Sequence, residues 1–268
     1  MCTVFFAYKV HNKYPLIFMG NRDEFYDRPS IPAHFWDSDD SILAGVDSKE
    51  NGTWTGITKS GHFAFVTNFR DFSMIRADTI SRGHLVRDFL VYKPLPQKYC
   101  EIISLKAHKF NPFNLIVGDM NELSYYSNID RQVHVLPPGI YGLSNHLLDT
   151  PWPKVATGKM VLKTIVDRHE AISPNSLFNV LDDKTIPPDE MLPDTGIGLE
   201  MERPLSSTFI DIPHKNYGTR FQTVILVDND MHAVFVERSR DNNGKWELRT
   251  HEFDIDIPSN ETHDFKRT

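Results

Sequence analysis

The second residue of the chain is a cysteine, and that position has chemical content of its own. Once Met1 is removed, Cys2 carries both a thiol and a free α-amine. A thiol titrates near ~8.5 and an α-amine near ~7.7–8.0, so the amine can take the thiol's proton without a histidine partner. Such a pairing is the N-terminal form of an activated nucleophile. A cysteine at a strand start is equally a plain packing residue, because thiol reactivity follows environment more than residue type. The environment is suggested by Gly20-Asn21-Arg22-Asp23-Glu24-Phe25-Tyr26-Asp27-Arg28-Pro29. An arginine beside Cys2 would lower the thiol pKa, and a carboxylate would hold the ammonium formed when the amine accepts the proton.

These two segments meet only if the chain folds back between them, and the pattern predicts that it does. Thr3 to Tyr8 and Leu16 to Gly20 are runs of β-formers separated by His11-Asn12-Lys13, which reads as a hairpin. Trp54 to Thr58 and His62 to Asn68 form a second hairpin signal around Lys59-Ser60-Gly61. Helical periodicity covers Thr79 to Leu90, Gln97 to His108 and Lys154 to Ala171, the last opened by Thr150-Pro151-Trp152-Pro153. Asn114 to Val117 and Leu123 to Ser127 return to strand character. A proline-bearing stretch from Ile186 to Pro213 shows no periodicity. Gln222 to Val227 and His232 to Val236 then bracket Asp228-Asn229-Asp230-Met231 as a further hairpin, and Trp246 to Phe253 alternates as a strand. Strands at both ends around helices in the middle point to one α+β core built from residues 1–268 as a single domain.

Composition narrows the function classes. A net charge of −7 argues against a general attraction to nucleic acid or anionic lipid. Only two cysteines, Cys2 and Cys100, exclude a disulfide scaffold and a multi-cysteine zinc site. The twelve histidines include no His-Glu-x-x-His, so no metal site is expected. Asp47-Ser48-Lys49-Glu50-Asn51-Gly52 resembles half a calcium loop, but Lys49 stands where an oxygen ligand belongs, so the segment reads as a turn. With no phosphate-binding glycine loop, no secretory leader and no apolar run of membrane-spanning length, the expected location is cytoplasmic.

Met1-Cys2 followed by Asn21-Arg22-Asp23-Glu24 resembles the NRDE family, named for that tetrapeptide. The resemblance extends through Gly52-Thr53-Trp54-Thr55-Gly56, Thr67-Asn68-Phe69-Arg70-Asp71, Tyr141-Gly142-Leu143-Ser144-Asn145, Tyr217-Gly218-Thr219-Arg220 and Glu237-Arg238-Ser239. It implies a four-layer α-β-β-α sandwich of the N-terminal-nucleophile (Ntn) hydrolase type. The cholylglycine hydrolase and penicillin V acylase group is the comparison for the site. By that resemblance Cys2, Arg22, Asp23, Asn68, Asn145 and Arg220 are the expected catalytic set. Those acylases space their arginine and aspartate three apart, whereas Arg22 and Asp23 are adjacent and would face opposite sides of a strand. Which of Asn21, Arg22, Asp23 and Glu24 faces the thiol stays open at this level.

Two functions follow as expectations. One is an amidohydrolase that cleaves the C–N bond of a small-molecule or acyl-lipid substrate, with no cofactor. The other is a non-catalytic carrier of haem or an acyl lipid, its pocket lined from the eighteen phenylalanines and eight methionines.

Overall fold

The computed structural model describes residues 2–241 and 244–256. Met1, whose removal the nucleophile chemistry requires, lies outside the described residues. The first half runs β1 (Cys2–Tyr8), β2 (Leu16–Phe25), β3 (Ser30–Trp36), β4 (Asp39–Asp47), β5 (Thr55–Thr58) and β6 (Phe63–Asn68). Next come α1 (Gly83–Tyr92), α2 (Pro96–Lys106), β7 (Phe113–Gly118), β8 (Leu123–Ser127), β9 (Val133–Val135) and β10 (Gly139–Leu143). After these follow α3 (Pro153–Val166), α4 (Pro174–Leu181), α5 (Leu199–Leu205) and β11 (Asp211–Ile212). The chain closes with β12 (Tyr217–Val227), β13 (His232–Arg240) and β14 (Trp246–Asp254).

The strands form two antiparallel sheets. One has the order β10-β1-β2-β12-β13-β14, with β11 beside β12; the other runs β3 to β9 in sequence order. Between them lies an apolar layer that includes Val4, Phe6, Phe18, Leu43, Ile57, Phe65 and Phe235. The outer face of the first sheet packs Phe5, Ile17 and Met19 against α3 and α4, and that of the second packs Ala64, Leu115 and Val117 against α1 and α2. This is the four-layer α-β-β-α arrangement of an Ntn hydrolase-like sandwich. Strands buried on both faces read as continuous apolar runs, which is why Thr3 to Tyr8 shows no alternation.

Element boundaries move where backbone conformation overrides periodicity. α1 starts at Gly83 and not at Thr79, and the preceding residues become a loop on the cleft described below. α3 stops at Val166, short of Ala171, because the chain turns left-handed at His169 with φ of 54°. The hairpin β3–β4 has no counterpart in the predicted elements. It is interrupted by irregular register at Ile31/His34 and Phe35/Trp36, so its sequence does not alternate cleanly. Two short elements, α5 and β11, emerge inside the proline-bearing stretch.

Candidate active site

Pairing of β1 with β2 sets Cys2 opposite Arg22. Strand alternation then puts Arg22 and Glu24 on the inner face with Cys2, and Asn21 and Asp23 on the helix face. Asn21 acts as a clamp, its side-chain amide donating to Leu181 O and Thr208 O, each at 2.9 Å. Asp23 stands one register step beyond Arg22, on the side where the backbone nitrogen of Cys2 lies. Its buried carboxylate accepts from Thr219 Oγ1 at 2.7 Å, and burial pushes its pKa up.

Cys2 is half-buried at the wall of a cleft of about 290 Å³ that is also lined by Arg22, Asp23, Glu24, Trp54 and Asn68. Arg22 is held from three directions. Its guanidinium donates to Asp47 at 2.9 Å and Ser30 Oγ at 3.1 Å, and it lies 4.3 Å over the Trp54 ring. Arg28 donates to the same Asp47 oxygen at 2.7 Å, and Glu24 stands 3.9 Å from Arg22 and 3.8 Å from Arg28. Arg22 lowers the Cys2 thiol pKa as expected, yet the net pKa is raised. Burial dominates, Asp23 and Glu24 add to it, and Arg22 opposes it only in part. Proton removal from this thiol therefore needs a base.

The other predicted residues divide. Asn68, at the end of β6, lines the cleft, and among the described residues its side-chain amide makes no hydrogen bond. Asn145 does not line it. Fully buried, it donates to Asn68 O at 3.0 Å while its own main-chain carbonyl accepts from Arg70 N at 2.7 Å. Arg220 also stays off the cleft wall. It sits at the irregularity between Thr219 and Phe221 where β12 meets β2, and it donates to the carbonyls of Phe25 and Arg28. Asn145 and Arg220 thus shape the backbone around the site without facing the thiol.

Several site residues were not foreseen. Asp47, read as part of a turn, closes β4 and joins Arg22 to Arg28; the turn itself occupies the residues after it. Behind Asp23 lies a buried set on the helix side. Lys154 donates to Leu205 O at 2.9 Å and Ser207 O at 3.3 Å, and Arg70 pairs with Glu202 at 2.7 Å. Burial lowers the Lys154 pKa to about 7, with Arg70 adding to the effect. A lysine in the first turn of a helix opposes the helix dipole, a signal present in Trp152-Pro153-Lys154. At the same end, Thr67 Oγ1 donates to Ser144 O at 2.8 Å, so polar links join the two sheets beside Cys2.

A family profile described as transport and Golgi organisation 2 matches residues 1–242. The chain belongs to that family. It is 39% identical over 273 residues to a transport and Golgi organization protein 2 homolog of Bos taurus, covering 94% of this chain and 99% of that one. The Drosophila melanogaster transport and Golgi organization protein 2 is 28% identical over 282 residues, at 94% and 97% coverage. Among solved structures, a Caenorhabditis elegans N-acylethanolamine-hydrolyzing acid amidase ortholog superposes with a TM-score of 0.50 at 15% identity. That match covers 84% of this chain and 92% of the other, and it shows a shared fold. Among the described residues no helix is long and apolar enough to cross a membrane.

Proposed function

We propose that the chain is a cysteine amidohydrolase of the N-terminal-nucleophile kind, acting on the C–N bond of a small-molecule or acyl-lipid amide. The observation that carries this reading is the convergence of Cys2, the uncommitted amide of Asn68, and Asp23 on the backbone-nitrogen side of Cys2. With Met1 removed, the Cys2 amine takes the thiol proton and the sulfur attacks the substrate carbonyl carbon. Asp23 holds the resulting ammonium. The tetrahedral oxyanion accepts from Asn68 Nδ2, a contact of the kind that contributes roughly 2.7–4 kcal/mol when a protease loses one such donor. Collapse breaks the C–N bond, and the ammonium returns its proton to the departing amine. Water then attacks the thioester, releasing the acid and restoring the thiol. Arg22, neutralised by Asp47 and stacked on Trp54, fixes the floor beneath the sulfur.

Intact mass and selective alkylation test the premise. The purified protein is expected to lack Met1, and iodoacetamide should label Cys2 well before Cys100. The latter thiol is fully buried, and burial pushes its pKa up to about 12. Hydrolysis assayed on N-acylethanolamines, the substrates named for the amidase that shares the fold, and on N-acyl amino acids should vanish in Cys2→Ala. Retained Met1, or hydrolysis unchanged in Cys2→Ala, would overturn the mechanism.

A further inference from the structure

Four arginines line the cleft against four carboxylates, Asp23, Glu24, Asp47 and Glu50, and the two signs are not paired one to one. Arg22 and Arg28 are matched by Asp47 and Glu24. The segment before α1 adds two more arginines, Arg76 and Arg82, to the cleft lining. Both donate, among the described residues, only to main-chain carbonyls: Arg82 to Pro112 O at 3.0 Å, Arg76 to Phe110 O at 3.1 Å and to His108 O. Among the described residues neither has a carboxylate within ion-pair distance. A guanidinium carries five N–H donors, so both side chains retain donors.

Their placement is built. Asn111 pins the backbone of Arg76, accepting from its N–H at 2.8 Å and donating to its carbonyl at 3.0 Å. Arg82 is half-buried at the start of α1, where the helix dipole adds positive potential. It is close enough to Cys2 and Glu24 for their charges to act on it. Arg76 is exposed, but Arg82 is half-buried with no carboxylate at ion-pair distance among the described residues, and a partly desolvated guanidinium gains from an anion that shares the cleft.

We propose that Arg82, supported by Arg76, forms an oxyanion subsite that takes a carboxylate or phosphate of the ligand whose amide carbonyl meets Cys2. The subsite rests on the hydrolase reading only for the second half of that statement, and the experiment separates the two. Cys2 is alkylated with anionic iodoacetate and with neutral iodoacetamide, and the ratio of the two rates is compared with that of N-acetylcysteinamide. Because both reagents consume the thiolate, the ratio is independent of the thiol pKa. Asp23 and Glu24 alone would depress it. The subsite predicts a ratio roughly two- to five-fold above the reference, the scale of one solvent-accessible ion pair. Arg82→Gln should return it to the reference or below, Arg82→Lys should keep part of the gain, and Arg76→Gln should lose a smaller part. Competition by acetate against inorganic phosphate tells which oxyanion fits. A wild-type ratio at or below the reference, or one unmoved by Arg82→Gln, overturns the proposal.

A second measurement does not need a reactive thiol. In Cys2→Ala, decanoylglycine should raise the melting temperature more than the neutral decanoylglycinamide, and adding Arg82→Gln should erase the difference. Equal shifts for the two compounds would overturn the subsite. Unequal shifts in a protein whose Cys2 resists both alkylating reagents would support the subsite while removing the hydrolase.

Discussion

Strand alternation sorts Asn21, Arg22, Asp23 and Glu24 into two pairs that do different work. The tetrapeptide was legible as a site, but not which of its members face the thiol, because facing depends on the register that pairs Cys2 with Arg22. Asn145 and Arg220 were legible as matching residues and not as supports, since only the fold shows their donors directed at backbone carbonyls. Asn145→Ala should therefore lower kcat by displacing Asn68 while leaving KM for a neutral N-acyl amide within about two-fold, the pattern of an interaction used in the transition state. A rise in KM at constant kcat would place Asn145 in ground-state binding. Glu237 supplies a pH prediction. Its carboxylate accepts from Ala33 N at 2.7 Å, bridging the sheets, and burial raises its pKa from 4.5 to about 7. The Ala33 amide, Arg249 and Arg22 all oppose that rise. Between those two values the folded state holds more protons than the unfolded one, so stability declines as pH rises from 4.5 to about 7 and is level above. The loss is on the order of 3 kcal/mol. Glu237→Gln, which cannot ionise, should match the wild type near pH 4.5 and be the more stable protein at pH 8 in urea titrations. Parallel pH curves for the two proteins would contradict this.

At the scale of elements, the site depends on how closely α3 approaches β1. Gly158 makes that approach: a Cβ there would stand 2.1 Å from the buried ring of Phe5. Gly158→Val should cost about 1–3 kcal/mol through overpacking, read as a lower urea midpoint at an unchanged slope. A midpoint unchanged within error would mean that the layer is looser than described. The helix itself was legible from Val155, Met160, Val161, Ile165 and Val166, although Met160 and Val161 are exposed and Leu162 is buried in their place. By contrast, the small residue at its contact with Phe5 carries no periodic signal. The same contrast explains β3 and β4, where proline, polar residues and shifted register hide a hairpin whose end contributes Asp47 to the site. Long apolar strands such as β12 announce themselves; hairpins whose partners are set by tertiary contacts do not.

For the whole molecule, strands far apart in sequence share one sheet at the site. β1, which carries Cys2, and β12 to β14, from the last quarter of the chain, belong to the same sheet. The layer order was legible through the family resemblance, since strand spacing alone gives only an α+β core. β14 pairs with β13 over its full length and covers what would otherwise be an open edge. Ending the chain after Asp241 should leave a protein that unfolds at lower temperature and scatters light as exposed edges associate. A truncated protein as stable and monodisperse as the full chain would show that β14 contributes nothing. The claim on which the account turns is that Cys2 carries the acyl group of an amide substrate through its sulfur. Acid-quenched mass spectrometry during turnover of a fluorogenic N-acyl aminocoumarin tests it most directly. The predicted result is an N-terminal peptide that begins at Cys2 and bears one acyl group, which free hydroxylamine removes and Cys2→Ala lacks. A peptide that begins at Met1, or turnover with no acyl group on Cys2, would contradict the account.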